Sequence, residues 1–360
     1  MEHRVFNFAA GPSMLPLSAL ERAGKEITNY QGSGMSVMEM SHRSKTFDAI
    51  FQATKEKLRR ALSIPEGYEI LFLQGGASTQ FSAIPLNLMG EKGRADYALT
   101  GNFSTVAYQE AAKYGAVRTA ASSADKNHTY IPPQTALDLD PTASYFYYCA
   151  NNTIYGTEWQ YVPETGSVPL VCDMSSNILS KPVDVSRYGL IFAGAQKNMA
   201  PAGLTVVILK KELVGRHLPI TPLMLTYETL VAKDSMYNTP PCWCIYMLGL
   251  VLDWLEEQGG VAGMEAVKHQ KASLLYETIE ASGLFHCPVE RGSRSDMNVV
   301  FRSENEELDK KFATAAAEAG FTNLKGHRSV GGLRASIYNA MPLEGVERLC
   351  AFIRQFEKGV

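Results

Sequence analysis

The chemistry in this chain of 360 residues centres on a lysine, Lys197, standing between two apolar runs, Leu190–Ala193 and Leu204–Leu209. Its neighbours Gly194, Ala195, Ala200 and Gly203 are small, which leaves room for a bulky group at the amine. A lysine withdrawn from water in such a place can bond an aldehyde carbon. The same residues also fit a turn lysine whose ammonium reaches solvent. An acid, Asp173, ends an earlier apolar run, Val168–Cys172. A carboxylate at the C-terminal edge of a strand faces the crevice in which open α/β sheets bind ligands; alone, Asp173 reads equally well as a helix cap. The third group is the turn Gly75-Gly76-Ala77-Ser78-Thr79, placed where the run Ile70–Leu73 gives way to a helical stretch. Free amides, hydroxyls and the positive helix end favour a dianion there, although a glycine turn is also an ordinary connection.

Taken together the three are more specific than any one. Pyridoxal phosphate requires a lysine for its aldehyde, an acid to keep its pyridine nitrogen protonated and a site for its phosphate.

These groups need a frame, and the chain between them alternates short apolar runs with helix-length segments. Lys45–Leu62 places Phe47, Ile50, Phe51, Leu58 and Leu62 mostly on one helical face. The runs Ile70–Leu73, Tyr97–Leu99, Tyr145–Cys149, Leu170–Cys172, Leu190–Ala193 and Leu204–Leu209 predict strands, with helices such as Ser104–Tyr114 between several of them. Pro85 predicts a kink in the helix after the glycine turn. This pattern is that of an α/β fold with a largely parallel sheet buried on both faces. Thr239, read as an N-cap ahead of Pro240, opens an apolar helix over Cys242–Leu255 that closes the large domain. Beyond Gly259-Gly260 follow a helix from Val261 to about Ser282, a strand Met297–Phe301, a helix Glu306–Ala319, a strand Leu333–Ile337 and a helix Leu343–Phe356. The expected division is a large domain over 16–260 and a smaller C-terminal α/β or α+β domain built from 261–360 together with 1–15.

Composition limits the function classes. The chain is 46% hydrophobic and 20% charged with a formal net charge of −3, so no global field is available for a nucleic acid or a membrane surface. Anionic ligands must be held by local basic residues. Six cysteines lack the paired spacing of zinc sites and read mostly as buried reduced thiols, so no metal is expected. No targeting segment and no apolar stretch of membrane-spanning length is visible, which makes the cytosol the expected compartment.

Several segments resemble one family closely. These are Asn7–Pro12, Met40-Ser41-His42-Arg43-Ser44, Leu73–Ser78, Asp184–Gly189 and Ala193–Asn198 continuing to Pro201–Thr205. With them the chain resembles the phosphoserine aminotransferase family, within the pyridoxal-phosphate transferase fold type I shared by aspartate aminotransferase, from Asn7 nearly to the C-terminus. The resemblance implies transamination of 3-phosphohydroxypyruvate with L-glutamate to O-phospho-L-serine and 2-oxoglutarate, a step of serine biosynthesis. In bacteria it allows a second role in pyridoxine biosynthesis. It implies that Lys197 bonds the cofactor aldehyde, Asp173 pairs with the pyridine nitrogen and Thr153 bonds the ring hydroxyl. Gly76, Ala77 and Gln196 hold the phosphate, helped by Asn238 and Thr239 of the partner subunit in a homodimer with shared sites. Phe103 stands where the family commonly has a tryptophan; its smaller face should stack on the ring more weakly. As an isolated residue, Phe103 also reads as ordinary core.

Two His-Arg-Ser tripeptides, 42–44 and 327–329, suit an anion, because guanidinium forks grip phosphate or carboxylate oxygens; chance repetition is the competing reading. The resemblance assigns His327 and Arg328, with His42 and Arg43 from across the dimer interface, to the substrate phosphate, and Arg334 to the α-carboxylate. Rival readings are an alanine–glyoxylate-type transaminase and a lyase or cysteine desulfurase of the same fold, the latter disfavoured because Cys242-Trp243-Cys244 reads as buried. A dehydrogenase suggested by Gly32-Ser33-Gly34 lacks the third glycine and a preceding strand, and a non-catalytic binding protein would not need Lys197.

Overall fold

The computed structural model describes residues 4–359. The main sheet has seven strands, β1 (Tyr68–Leu73), β2 (Arg94–Leu99), β3 (Ala116–Ser122), β4 (Phe146–Cys149), β5 (Leu170–Asp173), β6 (Leu190–Gly194) and β7 (Thr205–Lys210). Their spatial order is β1-β7-β6-β5-β4-β2-β3. β7 runs antiparallel to both neighbours, and the other strands share one direction. Successive side chains of a strand point to opposite faces, and β1 shows the result. Ile70 and Phe72 enter one apolar layer with Phe47, Phe51, Leu58 and Leu248, while Leu71 and Leu73 enter the other with Phe81, Ile84, Tyr97 and Phe192. A sheet covered on both faces needs strands without a polar side, and β4, β5 and β6 are buried along their whole length.

β3 has no apolar run and was not anticipated from the sequence. It is an edge strand, partly exposed, and Arg118 on it donates from Nε to Asp96 Oδ1 of β2 at 3.0 Å; charge at an open edge discourages pairing with other chains. The helix after β1 starts at Gly76, inside the stretch read from the sequence as a turn, and runs through Pro85 to Leu88. Thr239 is not a helix cap: the apolar helix begins at Cys242 after Pro241 and reaches Glu257. Gly32-Ser33-Gly34 lies at a 3-10 turn, Tyr30–Gly32, and not between a strand and a helix.

A second apolar cluster gathers Phe6, Phe8, Leu275, Ile279, Phe301, Phe312, Leu349 and Ile353. Phe6–Asn7 pairs in parallel with Phe321–Thr322, and Asn298–Phe301 pairs antiparallel with Leu333–Ser336. The helix Gly260–Glu280 joins the two regions, since Met264 packs into the large cluster and Leu275 into the small one. Residues 1–3 and 360 of the expected small domain lie outside the described residues.

One buried amine clamps a segment of this region that touches the main sheet's loops. Lys271 is completely buried and its ammonium donates to the carbonyls of Ile337, Tyr338 and Met341 at 3.0, 2.8 and 2.9 Å. Burial pushes its pKa down to about 7, and three carbonyl acceptors match the three N–H groups of the charged form. The clamped segment follows the strand that carries Arg334. It also reaches the lysine loop, because Asn339 N donates to Asn198 Oδ1 at 3.0 Å.

Candidate functional site

Parallel strands deliver their C-terminal ends to one edge of the sheet, and the candidate groups collect there. Lys197 lies in the loop from β6 to β7. Its Nζ donates to Thr153 Oγ1 at 2.8 Å and to Ser176 Oγ at 2.7 Å, and these two hydroxyls are themselves 2.6 Å apart. Thr153 comes from the segment after β4 and Ser176 from the segment after β5, so three strand ends fix one amine. The loop backbone is held from the N-terminal side as well. Ser13 N donates to Gln196 O at 3.0 Å and the Ser13 hydroxyl donates to Lys197 O. Gly11, at φ +133°, lies so close that an added Cβ would stand 3.2 Å from Lys197 Cγ; only glycine suits that backbone conformation and that contact.

Asp173 ends β5 with 5% of its surface exposed. Its Oδ1 accepts from Ser175 N at 2.9 Å, so it does cap the following turn, and the Ser175 hydroxyl accepts from Gly194 N at 3.0 Å. Burial pushes the carboxyl above its ordinary pKa, against the pull of Ser175 and of the Lys197 charge. Among the described residues no cation forms an ion pair with it. A buried carboxylate without a partner is costly, and the protonated nitrogen of a pyridine is the kind of group that would complete it. Phe103, half-buried at the start of the helix Asn102–Ala111, places its ring centroid 5.6 Å from Lys197 Nζ while packing against the apolar layer of Phe81 and Tyr97. The flat face and the core contact are thus served by one residue.

Gly75 caps the helix Gly76–Leu88 at φ +94°, and no side chain caps its first amides. A Cβ at Gly75 would fall 2.2 Å from Thr79 Oγ1, whose hydroxyl donates to Gly75 O at 2.7 Å. The amides of Gly76 and Ala77 are therefore available to an anion at the positive helix end. Gln196 folds its side chain back over Gly194. Within the single chain, Asn238 Nδ2 donates to Gln74 Oε1 and Gln74 Nε2 donates to Thr239 O, both at 3.3 Å, which sets Asn238 and Thr239 against the residue before the glycine turn. The lysine, the buried acid, the flat ring and the anion cradle fit pyridoxal phosphate.

Beside this group lies a cavity of about 600 Å³ lined by Ile154, Tyr155, Arg302, His327 and Arg334, among others. Lys197 does not line it; the two spaces adjoin through the segment Thr153–Tyr155. Arg334 Nε is buried without a hydrogen-bond partner. Burial lowers the pKa of Arg334, and that of His327 is lowered by burial and then by the neighbouring Arg334 and Arg328 charges. Arg328 is exposed and does not line the cavity. His42 is buried with Nε2 unpartnered, Arg43 is exposed, and neither lines the cavity in the single chain. Sequence reasoning missed Ser176 as a ligand of the lysine amine, though Ser175-Ser176 directly follows Asp173; it also missed Arg302, for which no local signal exists.

The six thiols are free. Cys149, Cys172 and Cys350 are buried, whereas Cys242, Cys244 and Cys287 are only half-buried. Cys242 and Cys244 are thus less enclosed than their apolar surroundings imply, yet burial still raises both thiols above the ordinary pKa, which opposes a thiolate nucleophile. Among the described residues, no group of three or more His, Cys, Asp or Glu side chains is arranged to hold a metal, and no helix is long and apolar enough to cross a membrane.

The sequence profile described as Aminotransferase class-V matches residues 5–349. A phosphoserine aminotransferase of Geobacillus kaustophilus (strain HTA426) is 55% identical over 356 residues, covering 99% of both chains. One of Laribacter hongkongensis (strain HLHK9) is 53% identical, covering 98% of this chain and 99% of that protein. The solved structure of phosphoserine aminotransferase from Bacillus circulans subsp. alkalophilus superposes with a TM-score of 0.97 at 47% identity, covering 99% of each chain.

Proposed function

The chain belongs to the class-V aminotransferases, among the phosphoserine aminotransferases, and from that premise we propose that it transfers the amino group of L-glutamate to 3-phosphohydroxypyruvate, giving 2-oxoglutarate and O-phospho-L-serine. The observation that carries this reading is the Lys197 amine held by Thr153 and Ser176 next to the buried, cation-free Asp173.

Lys197, Asp173, Thr153, Phe103, Gly76, Ala77 and Gln196 hold pyridoxal phosphate, which supplies an electron-withdrawing ring that acidifies the α-carbon of a bound amino acid. Lys197 Nζ is the base for the proton on that carbon, kept in reach by the hydroxyls of Thr153 and Ser176. Arg334 holds the α-carboxylate, and the cavity beyond it receives the phosphate or the distal carboxylate. Because donor and acceptor use the same space in turn, the two half-reactions alternate.

The molecule works as a homodimer in which Asn238 and Thr239 reach the partner's cofactor phosphate and His42 and Arg43, with His327 and Arg328, reach the substrate phosphate. Two features support this. In the sequence, His42 with its unpartnered Nε2 follows exposed Met35 and Met38 and precedes exposed Arg43, and exposed Ile220, Leu223, Met224 and Tyr237 precede Asn238. Apolar side chains exposed around unfinished polar sites are a mark of an interface. The two apolar clusters support a large domain over 16–260 and a small one over 1–15 and 261–360, and the six unpaired thiols support a reducing, cytosolic compartment.

The test is a set of half-reactions on the holoenzyme. Phosphoserine, serine, alanine and glutamate are added separately while the cofactor absorbance is followed; phosphoserine and glutamate should each change the spectrum, and a response to alanine equal to that of phosphoserine would move the assignment to another transaminase.

Asp173→Asn separates the role of the acid from its place in the fold. The amide keeps the acceptor for Ser175 N but loses the charge, so turnover should fall between about 10² and 10³-fold, the scale of a lost preorganised electrostatic partner. Stability of the cofactor-free protein should move the other way. The folded-state pKa of Asp173 lies above its unfolded value of 3.8, so the folded state binds more protons and its stability falls as pH rises from about 3.8 through the raised value. At neutral pH the full cost of the buried charge is present, and the amide removes it. Urea unfolding of the two cofactor-free proteins should therefore show a higher midpoint for the variant; a lower one would mean that Asp173 serves the fold.

A further inference from the structure

Two arginines line the cavity beside the lysine site, Arg302 and Arg334, and among the described residues neither has an ion-paired carboxylate. Arg334 lies on the strand Leu333–Ser336 opposite Val300, and Arg302 follows two residues after Val300, on the same face of the ladder. The backbone of Arg302 exchanges two hydrogen bonds with His286, at 3.0 and 2.9 Å, which fixes its Cα in the cavity wall. Its Cβ lies against Gly332, where an added Cβ would approach to 3.1 Å. Gly332 closes the turn that starts at His327, through Gly326 N to Gly332 O at 2.8 Å and Gly331 N to His327 O at 2.9 Å. Arg302, His327 and Arg334 are thereby brought to one enclosure.

Two other basic side chains of the wall have carboxylate partners. Lys126 pairs with Glu290 at 2.9 Å and His286 faces Glu304 at 3.5 Å. Asp125, the carboxylate of the lining, accepts from the Tyr130 hydroxyl at 2.9 Å. Among the described residues neither Arg302 nor Arg334 has a carboxylate within ion-pair distance. Two such arginines in one enclosure are matched by a ligand with an anion at each end.

We propose that Arg302 is a specificity-determining residue, the guanidinium that grips the distal phosphate or carboxylate while Arg334 takes the α-carboxylate. The inference rests on the transaminase reading above and names a residue of the distal pocket beyond those the family resemblance assigns. It also gives the single chain a guanidinium in this cavity that Arg328, exposed and outside the lining, does not supply.

The experiment compares wild-type holoenzyme with Arg302→Gln and Arg302→Lys. In the glutamine variant KM for phosphoserine should rise about tenfold or more, the loss expected for charge-assisted bonds at a half-exposed site, while kcat stays within about twofold; the lysine variant, which keeps the charge and loses the fork, should fall between. Inorganic phosphate, used as a competitive inhibitor, should weaken by a similar factor. Unchanged KM and unchanged phosphate inhibition in both variants, or a fall in kcat matching the rise in KM, would overturn the proposal. If wild-type holoenzyme itself fails to respond to phosphoserine, the transaminase reading falls first, and the two failures are told apart.

Discussion

Lys197→Ala should lower kcat by at least about 10⁴-fold and leave the fold intact. The magnitude follows from two roles held by one amine. Proton transfer by a positioned base contributes about 10² to 10⁴-fold, and the covalent hold on the cofactor aldehyde adds to it. Among the described residues no other lysine amine bonds Thr153 Oγ1 or Ser176 Oγ, which hold the Lys197 amine at 2.8 and 2.7 Å. The loop itself does not depend on the side chain: Ser13 holds the carbonyl of Lys197, and Asn198 Nδ2 donates to Ile178 O at 3.0 Å. Circular dichroism and the unfolding midpoint should therefore match the wild type. Two further readouts separate lost chemistry from lost shape. Hydride treatment should fix the chromophore to the wild-type chain and not to the variant, and a small primary amine in the buffer should restore part of the turnover. A variant retaining more than about a hundredth of wild-type activity would remove Lys197 from the mechanism.

The groups that were legible in the sequence share a property: their chemistry is announced by residues a few positions away. Lys197 is flanked by glycines and alanines between two apolar runs, Asp173 closes a run that can only be a buried strand, and the glycine turn follows β1 directly. Each of these contexts is local, so periodicity and residue type suffice. Where the decisive contact is distant, the sequence is silent. β3, with Arg118, Thr119 and Ser122 in it, becomes a strand because β2 offers a parallel edge, a tertiary effect that overrides weak propensity. Thr239 has the residue type of an N-cap, yet the helix starts at Cys242, where the two prolines before it leave off. Ser176 looks like any loop serine until the loop carrying Lys197 is laid over it. Arg302 is one more basic residue after a strand, and only the pairing of its strand with the one carrying Arg334 brings it to the wall of the substrate cavity. The expected contributions of His42, Arg43, Asn238 and Thr239 depend on a second chain altogether.

Serine should be a poorer substrate than phosphoserine by 10³ or more in kcat/KM. The two differ only beyond the hydroxyl oxygen, so the ratio isolates what the distal end of the cavity does. Each hydrogen bond from a charged donor to the phosphate is worth roughly 1.5 to 3 kcal/mol; three of them reach about 5 kcal/mol, and a tenfold change in rate requires about 1.36 kcal/mol. The penalty on serine exceeds the loss of attraction, because basic groups already desolvated by the wall are left without a partner when the phosphate is missing, and sites built around a polar group reject analogues that lack it. The ratio should also depend on pH in a definite sense. The phosphate gains its second charge near pH 6, and arginines keep theirs throughout, so the advantage of phosphoserine should widen between pH 5 and about 7. His327 works against this trend, since burial and two neighbouring arginines lower its pKa, so a rising pH removes its proton more readily than that of a free imidazole. A widening ratio would therefore assign the phosphate grip to the guanidiniums, whereas one that narrows as pH rises would assign it to the imidazole. Comparable steady-state efficiencies for serine and phosphoserine would mean that the cavity does not read the phosphate at all, and the roles given to His327 and Arg302 would fall together.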